Sequence, residues 1–379
     1  MSAIDDHRAE VEAALRALHA SGLWRTLRVP SGVDLVSNDY LGLARHPAVR
    51  EAMGKALAEG PAGSGGSRLL RGHHGDFDRL EERLAAFSGA EAALFFGSGY
   101  LANVGLFPAL AGEGDVVLSD EANHASLIDG IRLSRARRVV VPHGDLAAVE
   151  RALAEPRSGW AFVVTESVFS MDGDLSPLAE LQELCERHRG LLVVDEAHAT
   201  GLYGERGSGR VEALGLRGRV LATMHTGGKA LGCGGAWVAG SKALRDLLVN
   251  RARTFIYSTA PLPALAAGLL AALDVVREEP LRRHEVHRKA ALLRAELRAQ
   301  GVAAPGEAAI VPVVAGSNEA ALRLEDGLRA EGFDVRAVRP PTVPAGTARL
   351  RVTVQSPTPD EDLTRFARAA GRLIGQRAA

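Results

Sequence analysis

Six short apolar runs recur through the middle of the chain: AALFF (92–96), DVVLS (115–119), RVVVP (138–142), AFVVT (161–165), LLVVD (191–195) and VLATM (220–224). Each is too short for an ordinary helix and nearly unbroken in apolar residues, the pattern of a strand covered on both faces. Amphipathic stretches separate them, such as 177–188, where Ser176 offers an N-cap and Pro177 a first-turn residue. Strand and helix in alternation predict an α/β fold, a mostly parallel sheet sandwiched by helices. The carboxyl ends of such strands are where a ligand is expected.

Texture divides the 379 residues into three parts. Residues 1–45 read as an N-terminal arm, a helix followed by an extended piece containing VSNDYLGL, and 46–275 as the large domain. Residues 276–379 read as a smaller α+β domain, with a long helix at 281–300, strands at 309–314 and 348–354, and a helix at 318–330. Lys+Arg of 45 against Asp+Glu of 46 leaves no basic footprint for nucleic acid. The longest apolar stretch, 261–276, carries two prolines and an aspartate and falls short of the roughly 20 apolar residues of a membrane span. The acidic start MSAIDDHRAEVEAAL lacks the basic opening of a signal peptide, and Cys185 and Cys233 match no metal or redox spacing. The expectation is a cytoplasmic protein with no membrane, nucleic-acid or metal partner.

Four places at or near strand ends could carry chemistry. Gly97-Ser98-Gly99-Tyr100 follows AALFF and opens a helical stretch, a turn suited to holding phosphate. The same turn, read as Gly97-x-Gly99-x-x-Ala102 with Asp120 about 20 residues on, also fits a dinucleotide fingerprint, so an NAD-binding oxidoreductase stays open from these residues. Asp195 and His198 leave the strand LLVVD; together with His124 and Glu196 they are acceptable zinc ligand types, though without a metal-binding spacing. Only four lysines occur in the chain. Lys55, Lys242 and Lys289 read as solvated helix residues, whereas Lys229 lies in the glycine-rich HTGGKALG, where desolvation would lower its pKa and make it a nucleophile. A phosphate turn, a carboxylate, two imidazoles and an imine-forming lysine are together the set that pyridoxal phosphate needs.

The ordered strings SNDYLGL (37–43), GSGGSRLLRG (63–72), NHASLIDG (123–130), TESVFSMDGD (165–174), VDEAHATG (194–201), the lysine turn, FIYST (255–259) and RPPTVPAGTARLRV (339–352) run through nearly the whole chain. In them the chain resembles the α-oxoamine synthases, fold-type I pyridoxal phosphate transferases that condense an amino acid with an acyl thioester and lose CO2. The resemblance implies that Lys229 carries the cofactor and later removes the α-proton. Asp195 would pair with the pyridinium, His198 would hydrogen-bond the ring's phenolic oxygen, and His124 would stack on the ring. Gly99, Tyr100 and Thr226 would bind the phosphate, with Glu166 and Ser170 in the cofactor pocket. Asn38 lies in the covering arm, Arg351 would grip the amino-acid carboxylate, and Arg25 and Thr342 match acyl-substrate positions. Tyr257, Ser258 and Thr259 would reach a neighbouring subunit's cofactor in a homodimer.

Within that family RPPTVPAG points to L-alanine and pimeloyl-CoA or a pimeloyl-acyl carrier protein as substrates, with glycine- or serine-using members and a catalytically silent binding protein as alternatives. Two departures stand out. HATG replaces the commoner HGTG, and Thr-Gly-Gly-Lys (226–229) has a glycine where a bulkier residue is usual, so the pocket is expected to be looser.

Overall fold

The computed structural model describes residues 2–375; Met1 and residues 376–379, the outer ends of the expected arm and small domain, lie outside the described residues. The arm is helix α1 (Ala3–Ala20), capped by Ser2, and a short strand β1 (Val33–Asp34). Helices α2 (Pro47–Glu59) and α3 (Gly75–Ser88) lead into the alternation the apolar runs announce. It runs β2 (Ala92–Phe96), α4 (Gly99–Leu110), β3 (Val116–Asp120), α5 (Ala125–Leu133), β4 (Arg137–Val141), α6 (Leu146–Ala154), β5 (Ala161–Glu166), α7 (Leu178–Arg187), β6 (Gly190–Asp195), α8 (Arg210–Ala213), β7 (Ala222–Thr226) and β8 (Ala236–Gly240).

Strands β2 to β8 form one seven-stranded sheet in the order β2-β8-β7-β6-β5-β3-β4. The five strands from β7 to β4 are parallel, while β8 runs antiparallel to both β7 and β2. Every residue of β3, β5 and β7 is buried, as expected for strands with helices on both faces. Each fully buried Leu, Val or Phe side chain in these layers contributes about 1.5–3 kcal/mol, which sets the sheet as the rigid platform of the molecule.

The sheet order disposes of the dinucleotide reading. A nucleotide-binding βαβ unit needs its two strands parallel and in one half-sheet. Here β2 is an edge strand, and β8, β7, β6 and β5 separate it from β3. The carboxylate of Asp120 is moreover taken by the backbone N–H groups of Ala122 and Gly144 and by His143.

Helices α9 (Lys242–Arg251), α10 (Arg253–Ile256), α11 (Ala264–Glu278) and α12 (Leu281–Ala299) follow. The chain then makes β9 (Ile310–Gly316), α13 (Asn318–Ala330), β10 (Phe333–Asp334), β11 (Ala337–Val338), β12 (Ala348–Thr353) and α14 (Asp360–Gly375). An antiparallel sheet of order β11-β12-β9 packs its apolar face against α12, α13 and α14, and β10 pairs in parallel with β1 of the arm.

Three local expectations are corrected. The N-cap of α7 is Pro177, because the Ser176 hydroxyl turns inward, 3.1 Å from Thr165 Oγ1. The run read as 220–224 is a strand two residues later, since His225 and Thr226 are buried and their polar atoms are satisfied: His225 lies between Thr200 and Thr223 and stacks on Trp237. Lys289 is buried in α12, its ammonium donating to the Ser356 carbonyl at 2.5 Å.

Candidate active site

The parallel strands end level with one another, and that register assembles the site. Glu166, the last residue of β5, is paired with Asp195, the last of β6, and Asp195 with Met224 of β7. A cavity of about 160 Å³ opens above these ends, lined by Gly99, Tyr100, His124, Ser126, Glu166, Asp195, Ala197, Met224, Thr226 and Lys229. Residues far apart in sequence thus meet because each follows a strand of the same sheet.

Asp195 is buried and doubly satisfied: Oδ1 accepts from the Ala197 N–H at 2.9 Å and Oδ2 from Asn103 Nδ2 at 2.9 Å. Asn103, on α4, also donates to Ser126 Oγ at 3.0 Å. Both oxygens are thereby paired, as a buried carboxylate requires. Glu166 has less help, a hydrogen bond from the His124 backbone N–H. Its Oε1 is buried without a partner, and burial, with the nearby Asp195 charge, pushes its pKa up to about 8.

Lys229 lies in the turn after β7, held by a Gly232 N–H to Lys229 carbonyl bond of 2.9 Å. Gly232 has φ +63, and a Cβ there would strike the backbone of Ala44 at 2.1 Å, so only glycine closes this turn. Burial lowers the Lys229 pKa to about 8, with Asp195 and Glu166 opposing and Arg351 adding to the fall. Its Nζ is 2.7 Å from His198 Nε2. His198 is itself buried, which drives its pKa well below the usual histidine value, and its Nδ1 lies 2.6 Å from the Tyr40 hydroxyl. His124 caps α5, with its Nδ1 2.7 Å from Ser126 Oγ; burial lowers its pKa as well. Nδ1 and Nε2 of His198 are thus both engaged in one hydrogen-bond chain from Tyr40 to Lys229.

The residues present fit pyridoxal phosphate. The N–H groups of Gly99 and Tyr100 stand in the first turn of α4, where no carbonyl of the helix can reach them, and the helix dipole favours an anion there. Ser98 spends its hydroxyl on Leu101 N and so leaves those two N–H groups free for a phosphate. The Asp195 carboxylate and the Lys229 amine line the same space, and the unpartnered Glu166 oxygen is a buried polar atom awaiting a donor.

The remaining expected residues divide. Asn38 Oδ1 lies 3.3 Å from the Tyr40 hydroxyl, which ties the arm to His198. Ser170 does not line the cavity; its carbonyl accepts from Arg351 Nε at 2.5 Å. Thr226 lines it, but its hydroxyl donates to the Gly235 carbonyl at 3.1 Å, leaving an oxygen that already accepts from Gly228 N. The Tyr100 side chain is exposed and bonds Asp129. Arg25 and Thr342 are exposed and outside the cavity, on segments joined where Arg339 donates to the Gly22 and Trp24 carbonyls. Tyr257 is 70% exposed, and Ser258 Oγ turns to the Thr259 carbonyl. The two departures do not loosen the cavity alike. Ala199 is fully buried against Val168 and Ala308, away from the site, whereas of the two glycines a Cβ at Gly227 would strike Leu269 Cδ2 at 2.5 Å and the Gly234 carbonyl at 2.6 Å, and one at Gly228 would make ordinary contact with Thr226 Oγ1 at 3.6 Å.

Sequence reasoning missed Tyr40 and Asn103. Tyr40 stood inside the quoted SNDYLGL, but nothing in a sequence ties it to a histidine 158 positions away. Asn103 reads as one polar residue in an otherwise apolar helix, and that isolation was the available signal.

Comparison with known proteins agrees with this arrangement. The family model described as aminotransferase class I and II matches residues 30–369. An 8-amino-7-oxononanoate synthase of Geobacter sulfurreducens is 47% identical over 380 residues, covering 96% of this chain and 97% of the relative. One from Anaeromyxobacter dehalogenans is 48% identical over 365 residues, covering 91% and 90%. Among solved structures, a serine palmitoyltransferase from S. paucimobilis with bound PLP matches at a TM-score of 0.91 and 28% identity, covering 99% of this chain and 100% of that one. An 8-amino-7-oxononanoate synthase from Francisella tularensis matches at 0.79 and 25%, covering 92% and 99%.

Proposed function

This chain belongs to the class I and II aminotransferase family, and from that membership and the site just described we propose that it is an 8-amino-7-oxononanoate synthase of biotin biosynthesis. It would join L-alanine to a pimeloyl thioester of coenzyme A or acyl carrier protein. A carbon–carbon bond forms between the amino acid's α-carbon and the thioester carbonyl, the carbon–sulfur bond breaks to release the thiol, and the carboxylate leaves as CO2. The observation that carries the reading is the Lys229 amine, with its pKa lowered to about 8, in one cavity with Asp195, His124 and the N-terminus of α4.

Pyridoxal phosphate bound there would supply an electron sink for carbanion character at the substrate's α-carbon. Gly99 and Tyr100 N–H groups would hold its phosphate, Asp195 would pair with its ring nitrogen, and His124 would help to hold the ring. Lys229 accepts the α-proton on Nζ, a task that needs the free amine and therefore the depressed pKa. Arg351 holds the amino-acid carboxylate by paired N–H bonds, which orient as well as attract. Arg25 and Thr342, both exposed, would contact the acyl chain.

Serine palmitoyltransferases share the shape at 28% identity, but the sequence likeness of 47% over 96% of the chain favours alanine over serine. Thiol release from pimeloyl-CoA, measured with glycine, L-alanine and L-serine in turn, tests the choice. Turnover with alanine and a product of the mass of the aminoketone are expected; turnover with glycine or serine alone refutes it.

The working unit is taken to be a cytoplasmic homodimer with shared sites, divided at about residues 45 and 275. In support, α1 buries none of its residues, and Leu69, Leu70 and Tyr257 are 50%, 81% and 70% exposed. Both cysteines are free, and no helix among the described residues is long and apolar enough to cross a membrane.

A further inference from the structure

Tyr40 has no part in the chemistry described so far, yet it is 1% exposed and its hydroxyl lies 2.6 Å from His198 Nδ1. Three groups surround that hydroxyl. Asn38 Oδ1 stands at 3.3 Å, beyond the usual range of about 2.5–3.0 Å for an O–H···O bond. The Arg351 guanidinium also bonds the Tyr40 oxygen, and a guanidinium can only donate. The oxygen therefore accepts from Arg351, and its single hydrogen has its near acceptor in His198 Nδ1. Burial raises the phenol's pKa to about 12, so that hydrogen is present at neutral pH.

A neutral imidazole carries one N–H. His198 is neutral, because burial and the charges of Lys229 and Arg351 hold its pKa well below the usual value. With Nδ1 accepting, the hydrogen belongs to Nε2, the atom 2.7 Å from Lys229 Nζ. We propose that Tyr40 is a positioning residue which, oriented by Arg351, fixes His198 as the Nε2–H tautomer, so that the histidine presents a hydrogen and not a lone pair to Lys229.

The consequence is chemical. A donor at that distance favours the free amine, since an ammonium has no lone pair to receive it. Tyr40 thus works through His198 in the same direction as burial, toward a Lys229 able to react at neutral pH. The other titratable and charged groups facing the amine are Asp195, Glu166, His124 and Arg351. Because Arg351 is also the residue assigned to the substrate carboxylate, the chain of hydrogen bonds runs from the substrate end of the site to its lysine.

Histidine-selective 15N NMR of the full chain, with and without pyridoxal phosphate, reads the tautomer directly once His198→Gln identifies the signal. Wild type is expected to show a protonated Nε2 and a bare Nδ1; Tyr40→Phe and Arg351→Met are expected to shift toward protonated Nδ1. A second reading is the rate at which apoprotein captures pyridoxal phosphate, followed by absorbance against pH. Its midpoint, near 8 in wild type, is expected to rise by about one pH unit in Tyr40→Phe as the donor to the amine is lost.

A wild-type His198 with its hydrogen on Nδ1 overturns the proposal, as does an unchanged tautomer and midpoint in Tyr40→Phe. Should that variant not fold, the wild-type spectrum and Arg351→Met decide alone. The capture experiment rests on Lys229 being the cofactor's lysine; failure of wild type to capture the cofactor at any pH would count against that reading, while the histidine spectrum tests the tautomer independently.

Discussion

Glu166 sets a measurable pH dependence on the stability of the apoprotein. It is 2% exposed, its Oε1 has no partner, and burial with the Asp195 charge moves its pKa from 4.5 to about 8. Between those values the unfolded chain has lost this proton while the folded one keeps it. Stability therefore falls as pH rises, by about 1.4 kcal/mol per pH unit from this group alone. Over the whole interval the loss amounts to about 5 kcal/mol, a large share of an ordinary domain's stability. Glu166→Gln keeps the shape and never ionises. Its apoprotein should match wild type near pH 4.5, gain steadily above it, and level off beyond pH 8. Urea unfolding of both proteins at half-unit steps of pH gives the difference, in which groups common to both cancel. The neighbouring Lys229 cation pulls the Glu166 pKa down, so in a Lys229→Met background the slope should continue to higher pH. Parallel stability curves for wild type and Glu166→Gln would refute the argument, because they would mean that the buried carboxyl ionises as freely as an exposed one.

Borohydride reduction of the protein with pyridoxal phosphate should add the cofactor's mass to the peptide carrying Lys229, and Lys229→Ala should abolish the adduct; a label on another lysine would sink the assignment. Arg351→Lys keeps the charge but loses the fork, so kcat/KM for L-alanine should fall by roughly ten- to a hundredfold with little change in cofactor binding. An unchanged alanine KM would remove Arg351 from the carboxylate site. Gly201→Ala should cost about 2 kcal/mol or more and weaken cofactor binding, since φ there is +85 and the new Cβ would meet Ala230 Cβ at 2.7 Å; thermal melts and a cofactor titration check it.

The parts of the fold that sequence made legible are those where one physical demand dominates. Strands covered on both faces must be apolar, so β2, β3, β5 and β6 announced themselves; RVVVP was read the same way, but β4 is an edge strand open to solvent, with Val140 52% exposed, and its apolar run reflects β propensity instead. The scarce lysine between glycines marked the site because nothing ordinary puts it there. β8 escaped: AWVAG (236–240) is short and built mostly of small residues, and only pairing with β2 and β7 makes it a strand. β7 was misplaced because the polar His225 and Thr226 looked like its end, and their partners, Thr200, Trp237 and Gly235, come from other elements. Lys289 failed for the same reason: the carbonyl that receives its ammonium lies 67 residues further on. Asp195 could be read as an acid needing donors, but that Asn103 supplies one is a fact of α4 packing beside β6. Polar contacts across the fold carry no periodicity, and these are the contacts that tune the site.

The way β12 meets the main sheet explains why the arginine proposed for the substrate carboxylate belongs to the second sheet at all. Leu350 and Val352 point into the apolar layer against α12 to α14, so the alternation of a strand sends Arg349 and Arg351 to the opposite face. That face meets the hairpin closed by the Val168–Leu175 bridge, where Asp172 takes Arg349 and the Ser170 carbonyl takes Arg351. Asp172 is half exposed while Arg349 is nearly buried, so the pair acts mainly to satisfy a buried cation and to fix where β12 lies. Two residues along the same strand, Arg351 inherits that position with one nitrogen on the hairpin, another 3.0 Å from Thr353 Oγ1, and a contact to Tyr40. Its aim is therefore set by two sheets and the arm together. A guanidinium held from three sides can present its remaining N–H groups to a carboxylate without first paying the rotamer entropy that a free surface arginine would lose.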